Sequence, residues 1–341
     1  MKTKKLKIGI GILLLLIAFY MLARMSGIEE EKNVYQKIVA GEEINILIVG
    51  DSIGAPSNEE AWSTLLKKYL ETEYGTTVDI NNVSMGGNTS YSGFFRVMML
   101  NDKENYDLAI ICYGQNDDEN EFSMHYENIY KAIQEKYVGC SMISILESSQ
   151  REYTYKMKTI MELASYYGVP IVDTISAFNN SAITYELLTE DGIHPNAEGH
   201  KLYFEAIREV MEEQMNSYES SRKRVNDEIR KFDDTHIFKV DEFRRINDCT
   251  YEIKMKSGQG SIGIFYDYVP GENKIKIYSN NQLLEKVEFE WSAGFQQEHI
   301  DLLENKYEIG NEIKIVFTNE IQADSFQGLS ISYIEDEKEE R

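Results

Sequence analysis

The sequence predicts an α/β domain built on a mostly parallel sheet with helices on both faces, followed by a smaller all-β domain. Three observations carry this reading. From Ile44 to about Met215, short apolar runs alternate with stretches whose apolar residues recur at helical spacing. Beyond about residue 236 the period falls to two, in short runs bounded by turn residues. The chain has 341 residues, 42% of them hydrophobic and 27% charged, which is ordinary globular composition with room for two cores.

The chain begins MKTKKLK and continues with an apolar run from Ile8 to Leu22, with no further charge until Arg24. The run is shorter than the roughly 20 residues of an ideal spanning helix and long for a signal-peptide core. AFYMLARMSG offers large residues where a cleavage site wants small ones. This favours an uncleaved signal anchor over residues 1–25, its lysines cytoplasmic, with secretion after signal cleavage as the alternative. Either way the remainder is expected outside the cytoplasm, as a single-pass membrane protein in the favoured case. A polar stalk is expected over 26–43.

INILIVG, Ile44 to Gly50, reads as a strand buried on both faces, and AWSTLLKKYLETEYG after it as an amphipathic helix. VDINNV, DLAIICYG, CSMISIL and VPIVD repeat the strand signal, YKMKTIMELASYYG repeats the helical one, and EGHKLYFEAIREVMEEQM closes a domain of residues 44–215. A charged helical linker is expected over 216–235. The second domain, 236–335, carries NKIKIYSN, KVEFEWS, NEIKIVFTN and GLSISYI between turn signals such as PGEN and SNN, the pattern of an antiparallel sandwich. Residues 336–341 form an acidic tail.

The formal net charge is −23, which argues against a nucleic-acid partner, because such binding relies on Lys and Arg displacing condensed counterions. A solvated acidic surface is the plain reading. Three cysteines, Cys112, Cys140 and Cys249, make no disulfide framework, and no metal-ligand spacing is present, so neither a metal nor another cofactor is expected. The sequence leaves the oligomeric state open.

An open parallel sheet places its ligand site beyond the carboxyl ends of its strands. Asp51-Ser52 follows the first strand, Met85-Gly86-Gly87-Asn88 the second, and Gly114-Gln115-Asn116-Asp117 the third. Asp191-Gly192-Ile193-His194-Pro195-Asn196 comes late in the domain. Together these supply what acyl transfer needs. Ser52 is the nucleophile, and His194 its base, because imidazole titrates near neutrality. Asp191 holds the imidazole in the required tautomer. The backbone N–H of Ser52, the backbone N–H of Gly87 and the side-chain amide of Asn116 are the oxyanion donors. Ser52 is expected at a helix N-terminus.

These residues resemble the SGNH, or GDSL-type, hydrolase family. Gly50-Asp51-Ser52 matches its first block, with Ile53 in place of the usual Leu; Asn82 to Thr89 match the second, Gly114 to Asp117 the third, and Asp191 to Pro195 the fifth. The resemblance covers about residues 44–215. It implies a flavodoxin-like three-layer α/β/α sandwich and a serine esterase, and its register puts Gly87 rather than Gly86 in the oxyanion hole. Carbohydrate-active members often carry jelly-roll-like modules, which suggests such a fold for residues 236–335.

Neighbouring residues have plainer readings. His125, His200, His236 and His299 lack a partner pattern and read as surface or satisfied core residues. Asp51 orients the nucleophile turn, Asp117 braces the Asn116 loop, and Asn88 to Tyr91 open the following helix. Tyr266, Tyr268, Trp291 and Phe295 are either a sugar-stacking platform or sandwich core, the latter being commoner. The reading that combines these features is an extracytoplasmic serine esterase removing O-acetyl groups from a carbohydrate or another small ester. An O-acetyltransferase with the same residues, a lipase or thioesterase, and a non-catalytic glycan-binding protein are the alternatives.

Overall fold

The computed structural model describes residues 32–101, 103–217, 235–303 and 306–333. The expected anchor over 1–25, the tail, and all of the linker but its ends lie outside these residues. No described helix is long and apolar enough to cross a membrane. The described residues from Val34 onward belong to one compact unit.

The first half is an α/β layer structure. It runs α1 (Val34–Val39), β1 (Ile44–Gly50), α2 (Trp62–Tyr74), β2 (Val78–Asn82), α3 (Ser90–Met99), β3 (Leu108–Cys112), α4 (Phe122–Lys136), β4 (Ser141–Leu146), α5 (Tyr155–Tyr167), β5 (Ile171–Asp173), α6 (Thr174–Asn179) and α7 (Ala197–Ser217). All five strands are parallel, in the order β2-β1-β3-β4-β5. Alternate residues of each strand serve opposite faces. Leu47, Val49, Ala109 and Ile111 pack with α3, α4 and α5, while Ile44, Ile46, Ile48 and Ile110 pack with α1, α2 and α7. Both faces are dry, which is why the strands read as unbroken apolar runs.

Part of the expected stalk is folded. Residues 34–39 form α1, with Val34 and Ile38 buried in the core and Lys37 Nζ 2.6 Å from Asp107 Oδ1.

The second half is an antiparallel sandwich. One sheet has the order β11-β10-β14-β8-β7, the other β12-β9-β15-β6 with β13 beside β9. Its strands are β6 (Thr235–Lys239), β7 (Arg244–Asn247), β8 (Thr250–Lys254), β9 (Gly258–Tyr268), β10 (Gly271–Ser279), β11 (Gln282–Trp291), β12 (Gln297–Leu302), β13 (Tyr307–Ile309), β14 (Glu312–Phe317) and β15 (Gly328–Tyr333). Ile262, Ile264, Tyr266, Leu329 and Ile331 face Ile275, Ile277, Ile313, Ile315 and Phe317 between the sheets. Tyr266 is therefore core, its hydroxyl donating to Asp301 Oδ2 at 2.7 Å.

The outer face of the second sheet is not left to solvent. Phe265 and Ile300 point away from the sandwich core and join Tyr91 and Phe95 of α3 in a small apolar cluster. Phe95 meets Phe265 edge-on at 5.9 Å, the Arg96 guanidinium lies 5.0 Å from the Phe265 ring centre, and Arg96 Nη1 pairs with Glu298 Oε2 at 3.0 Å. Tyr91 and Ser330 share a hydroxyl hydrogen bond. The edge strand β12 is thereby covered by the α/β half, which removes an unpaired edge from solvent.

Candidate active site

The strand order reverses between β1 and β3, and in open α/β sheets the crevice at that switch point, beyond the carboxyl ends, is where ligands sit. Asp51-Ser52 leaves β1 there and the Asn116 loop leaves β3 beside it. A side chain at Gly50 would crowd the Cys112 carbonyl, so glycine is required for the two strand ends to lie this close.

Ser52 stands in a turn, not at a helix N-terminus as expected; the next helix, α2, begins only at Trp62. The turn is held from within and without. Asp51 Oδ1 accepts from the Ile53 N–H at 2.9 Å, the Ala55 N–H donates to the Asp51 carbonyl at 3.0 Å, and Trp62 Nε1 donates to the Ile53 carbonyl at 3.1 Å. Asp51 thus orients the turn, in line with the sequence reading. The helix expected to carry Ser52 gives way because this Asx-type turn already takes up the N–H groups of Ile53 and Ala55.

The Asp191–Asn196 loop folds back over this turn. An isolated bridge joins Thr189 to Pro195, the Glu190 N–H donates to the His194 carbonyl at 2.8 Å, and Gly192 sits at φ +88°, where glycine is favoured. Asn196 Oδ1 accepts from the N–H groups of Glu198 and Gly199 and so starts α7. Within the loop, Asp191 Oδ1 accepts from the N–H groups of Ile193 and His194 at 3.0 and 2.9 Å, and Oδ2 lies 2.7 Å from His194 Nδ1. His194 Nε2 is 2.8 Å from Ser52 Oγ. The backbone and side-chain hydrogen bonds from His194, then that from Ile193, pull the Asp191 carboxyl down to about 2, so it is an anion although more than half exposed.

The three expected oxyanion donors meet different fates. The backbone N–H groups of Ser52 and Gly87 have no acceptor among the described residues. Gly87 adopts φ +74°, and the neighbouring Gly86 comes so close that a Cβ there would touch the Ser52 side chain. The Asn116 amide is instead engaged, donating to the Asn88 carbonyl at 3.0 Å with a longer 3.4 Å contact to Asp51 Oδ2. Its loop is braced by Asp117, whose Oδ1 accepts from the N–H and hydroxyl of Ser90 at the start of α3. Thr89 and Ser92 complete a capping box there, so the Asn88–Tyr91 stretch opens the helix as read from sequence.

Several neighbours were not legible as site residues. A pocket of about 260 Å3 opens beside Ser52 and His194, lined also by Asn58, Glu60, Glu190 and His200. His200 is buried with Nδ1 unpartnered, not a satisfied core histidine, and burial lowers its pKa to about 4. Beneath the nucleophile turn, Glu147, which follows β4, is fully buried, and the charge of Asp51 acts on it. Burial first pushes both carboxyls up, with the charge of Asp51 adding to the rise at Glu147 and that of Asp117 adding to the rise at Asp51, which reaches about 7. On the far side, His299 of β12 lies against Gly87 and stacks on Tyr268 with ring centres 3.8 Å apart. It too is buried, its Nε2 unpartnered. Apolar spacing or a local motif signals none of these; only the tertiary arrangement does.

The sequence model of the GDSL-like Lipase/Acylhydrolase family matches residues 48–202. Two solved structures of a two-domain esterase, described as active on acetylated mannans, share the architecture of both halves. One, co-crystallized with mannopentaose, aligns with a TM-score of 0.63 at 17% identity, over 89% of this chain and 94% of that one. The other aligns with a TM-score of 0.65 at 18% identity, over 88% and 94%. At such identities the likeness establishes the fold. Among curated proteins none matches this chain. Residues 48–202, with the parallel sheet they span, thus form a GDSL-like lipase/acylhydrolase domain, and the chain is a hydrolase of ester bonds.

Proposed function

We propose that the protein is a serine esterase that removes O-acetyl groups from a carbohydrate through an acyl-enzyme on Ser52. The observation that carries the proposal is the unbroken chain from Ser52 Oγ through His194 to Asp191, with links of 2.8 and 2.7 Å, beside two backbone N–H groups without acceptors among the described residues. Ser52 Oγ attacks the ester carbonyl while His194 Nε2 takes its proton, and Asp191 steadies the imidazolium that forms. The oxyanion is received by the N–H groups of Ser52 and Gly87; the second amide proton of Asn116, left with only the long Asp51 contact, is the third donor. Collapse expels the sugar hydroxyl, protonated by His194. Water then attacks the acyl-enzyme by the same route and frees acetate.

Support for a carbohydrate acetate comes from the two-domain esterase that shares both halves of the architecture and is active on acetylated mannans. The small polar pocket beside Ser52 agrees with a short acyl group. The basic and apolar segment over residues 1–25 supports a place outside the cytoplasm, held at the membrane. The test is acetate release from an aryl acetate and from acetylated mannan and xylan by the wild type and Ser52→Ala. Loss of turnover by three orders of magnitude or more, about 10³-fold, is expected in the variant; equal rates would sink the proposal. Product masses in the presence of unacetylated glycan distinguish hydrolysis from transfer.

A further inference from the structure

Gly86 and Gly87 share one peptide unit whose two polar ends serve different masters. The Gly86 carbonyl accepts from Asn88 Nδ2 at 3.1 Å and from Gln297 Nε2 at 2.5 Å, which occupies both of its lone pairs. The peptide is trans, so the Gly87 N–H points opposite to that carbonyl. Holding one end therefore aims the other. Donors on the carbonyl also polarise the peptide and strengthen its N–H as a donor.

Gln297 does not belong to the α/β half; it is the first residue of β12, 211 positions farther along the chain. The same strand continues the grip. A Cβ at position 87 would lie 3.0 Å from His299 Cε1, so the ring rests directly on the glycine. That ring is fixed by its stack on Tyr268, whose hydroxyl donates to Asp301 Oδ1 at 2.7 Å. Asn88 is held from the same strand as well, Oδ1 accepting from the Ile300 N–H at 3.2 Å and Nδ2 reaching the Glu298 carbonyl at 3.4 Å. Apart from the Tyr268–Asp301 bond, every polar contact in this set ends on the loop from Gly86 to Asn88.

We infer that β12 is a working part of the esterase site, with Gln297 and His299 as positioning residues that seat the Gly87 N–H against the oxyanion. This rests on the reading of Gly87 as an oxyanion donor given above. Gln297 acts through a peptide, so its effect belongs to kcat on even the smallest ester and not to binding of a long glycan.

The experiment compares wild type, Ser52→Ala, Gln297→Met and Gln297→Glu on an aryl acetate, with kcat and KM measured separately and thermal melting recorded. Removing a direct oxyanion donor costs about 10²–10³-fold, and this indirect one is expected to cost about tenfold in kcat in Gln297→Met, with KM and melting temperature unchanged. Gln297→Glu, whose carboxylate repels the Gly86 carbonyl, is expected to lose more. Wild-type kcat in both Gln297 variants overturns the inference, as does a loss confined to KM, which would place Gln297 on the substrate. Undiminished turnover by Ser52→Ala would instead defeat the esterase reading itself.

Discussion

Two carboxylates flank Ser52 in environments that could hardly differ more. Asp191 is exposed and takes three hydrogen bonds from the His194 loop, which hold it as an anion near 2. Asp51 is wholly buried beside Glu147, and desolvation lifts it to about 7. The contrast separates roles that sequence order alone does not. A group that must stabilise an imidazolium needs its charge at every working pH, whereas one that shapes a turn needs only an acceptor oxygen. Charge sits where solvent and N–H groups tolerate it, and burial disfavours it in the interior beneath the nucleophile.

Neutralising each acid in turn separates the two roles. Asp191→Asn is expected to lower kcat by about 10⁴-fold, the scale seen when such an orienting anion is lost, measured on an aryl acetate at neutral pH. Asp51→Asn keeps an oxygen for the Ile53 N–H, and its loss should stay within about tenfold, or 1.4 kcal/mol of barrier. A loss in Asp51→Asn as deep as that in Asp191→Asn would erase the distinction.

A smaller effect lies in stability against pH. Asp51 and Glu147 bind protons more tightly in the folded chain than in the unfolded chain, where carboxyls titrate near 4. Between about pH 4 and 7 the unfolded state therefore holds fewer protons, and the stability these groups contribute when protonated is lost as pH rises through that window. Asp191 has the opposite sign: its contribution is present above about 4 and disappears as pH falls toward 2. Melting temperatures from pH 4 to 8 should fall less steeply in Glu147→Gln than in the wild type. An unchanged slope would show that Glu147 is not protonated in the folded state.

The parallel sheet was legible in the sequence because its strands are buried on both faces, so INILIVG and LAIIC stand out as runs. Strand β12 was not, for a related reason. QEHIDL lies between the sandwich and the α/β half, and adjacent residues His299 and Ile300 are both buried, which destroys the period of two. The Phe265 side of β9 is masked in the same way by Phe95. Asp191 and His194 could be read together because they lie three positions apart in one loop, and Ser52 because a glycine-lined strand end precedes it. Glu147, His200 and Gln297 act through neighbours distant in sequence, and no local pattern marks them. The helix α4 belongs to the strand-helix alternation read from the sequence, although it buries polar residues such as Glu127 and Asn128 alongside its tyrosines.

The reach of Asn88 across both halves has a consequence for how the enzyme comes into being. A nascent chain that has emerged as far as residue 215 already contains Ser52, Gly87, Asn116, Asp191 and His194. It lacks the Ile300 N–H that binds Asn88 and the Gln297 amide that binds Gly86. The last contacts of the site to be synthesised are thus those that hold Gly86 and Asn88.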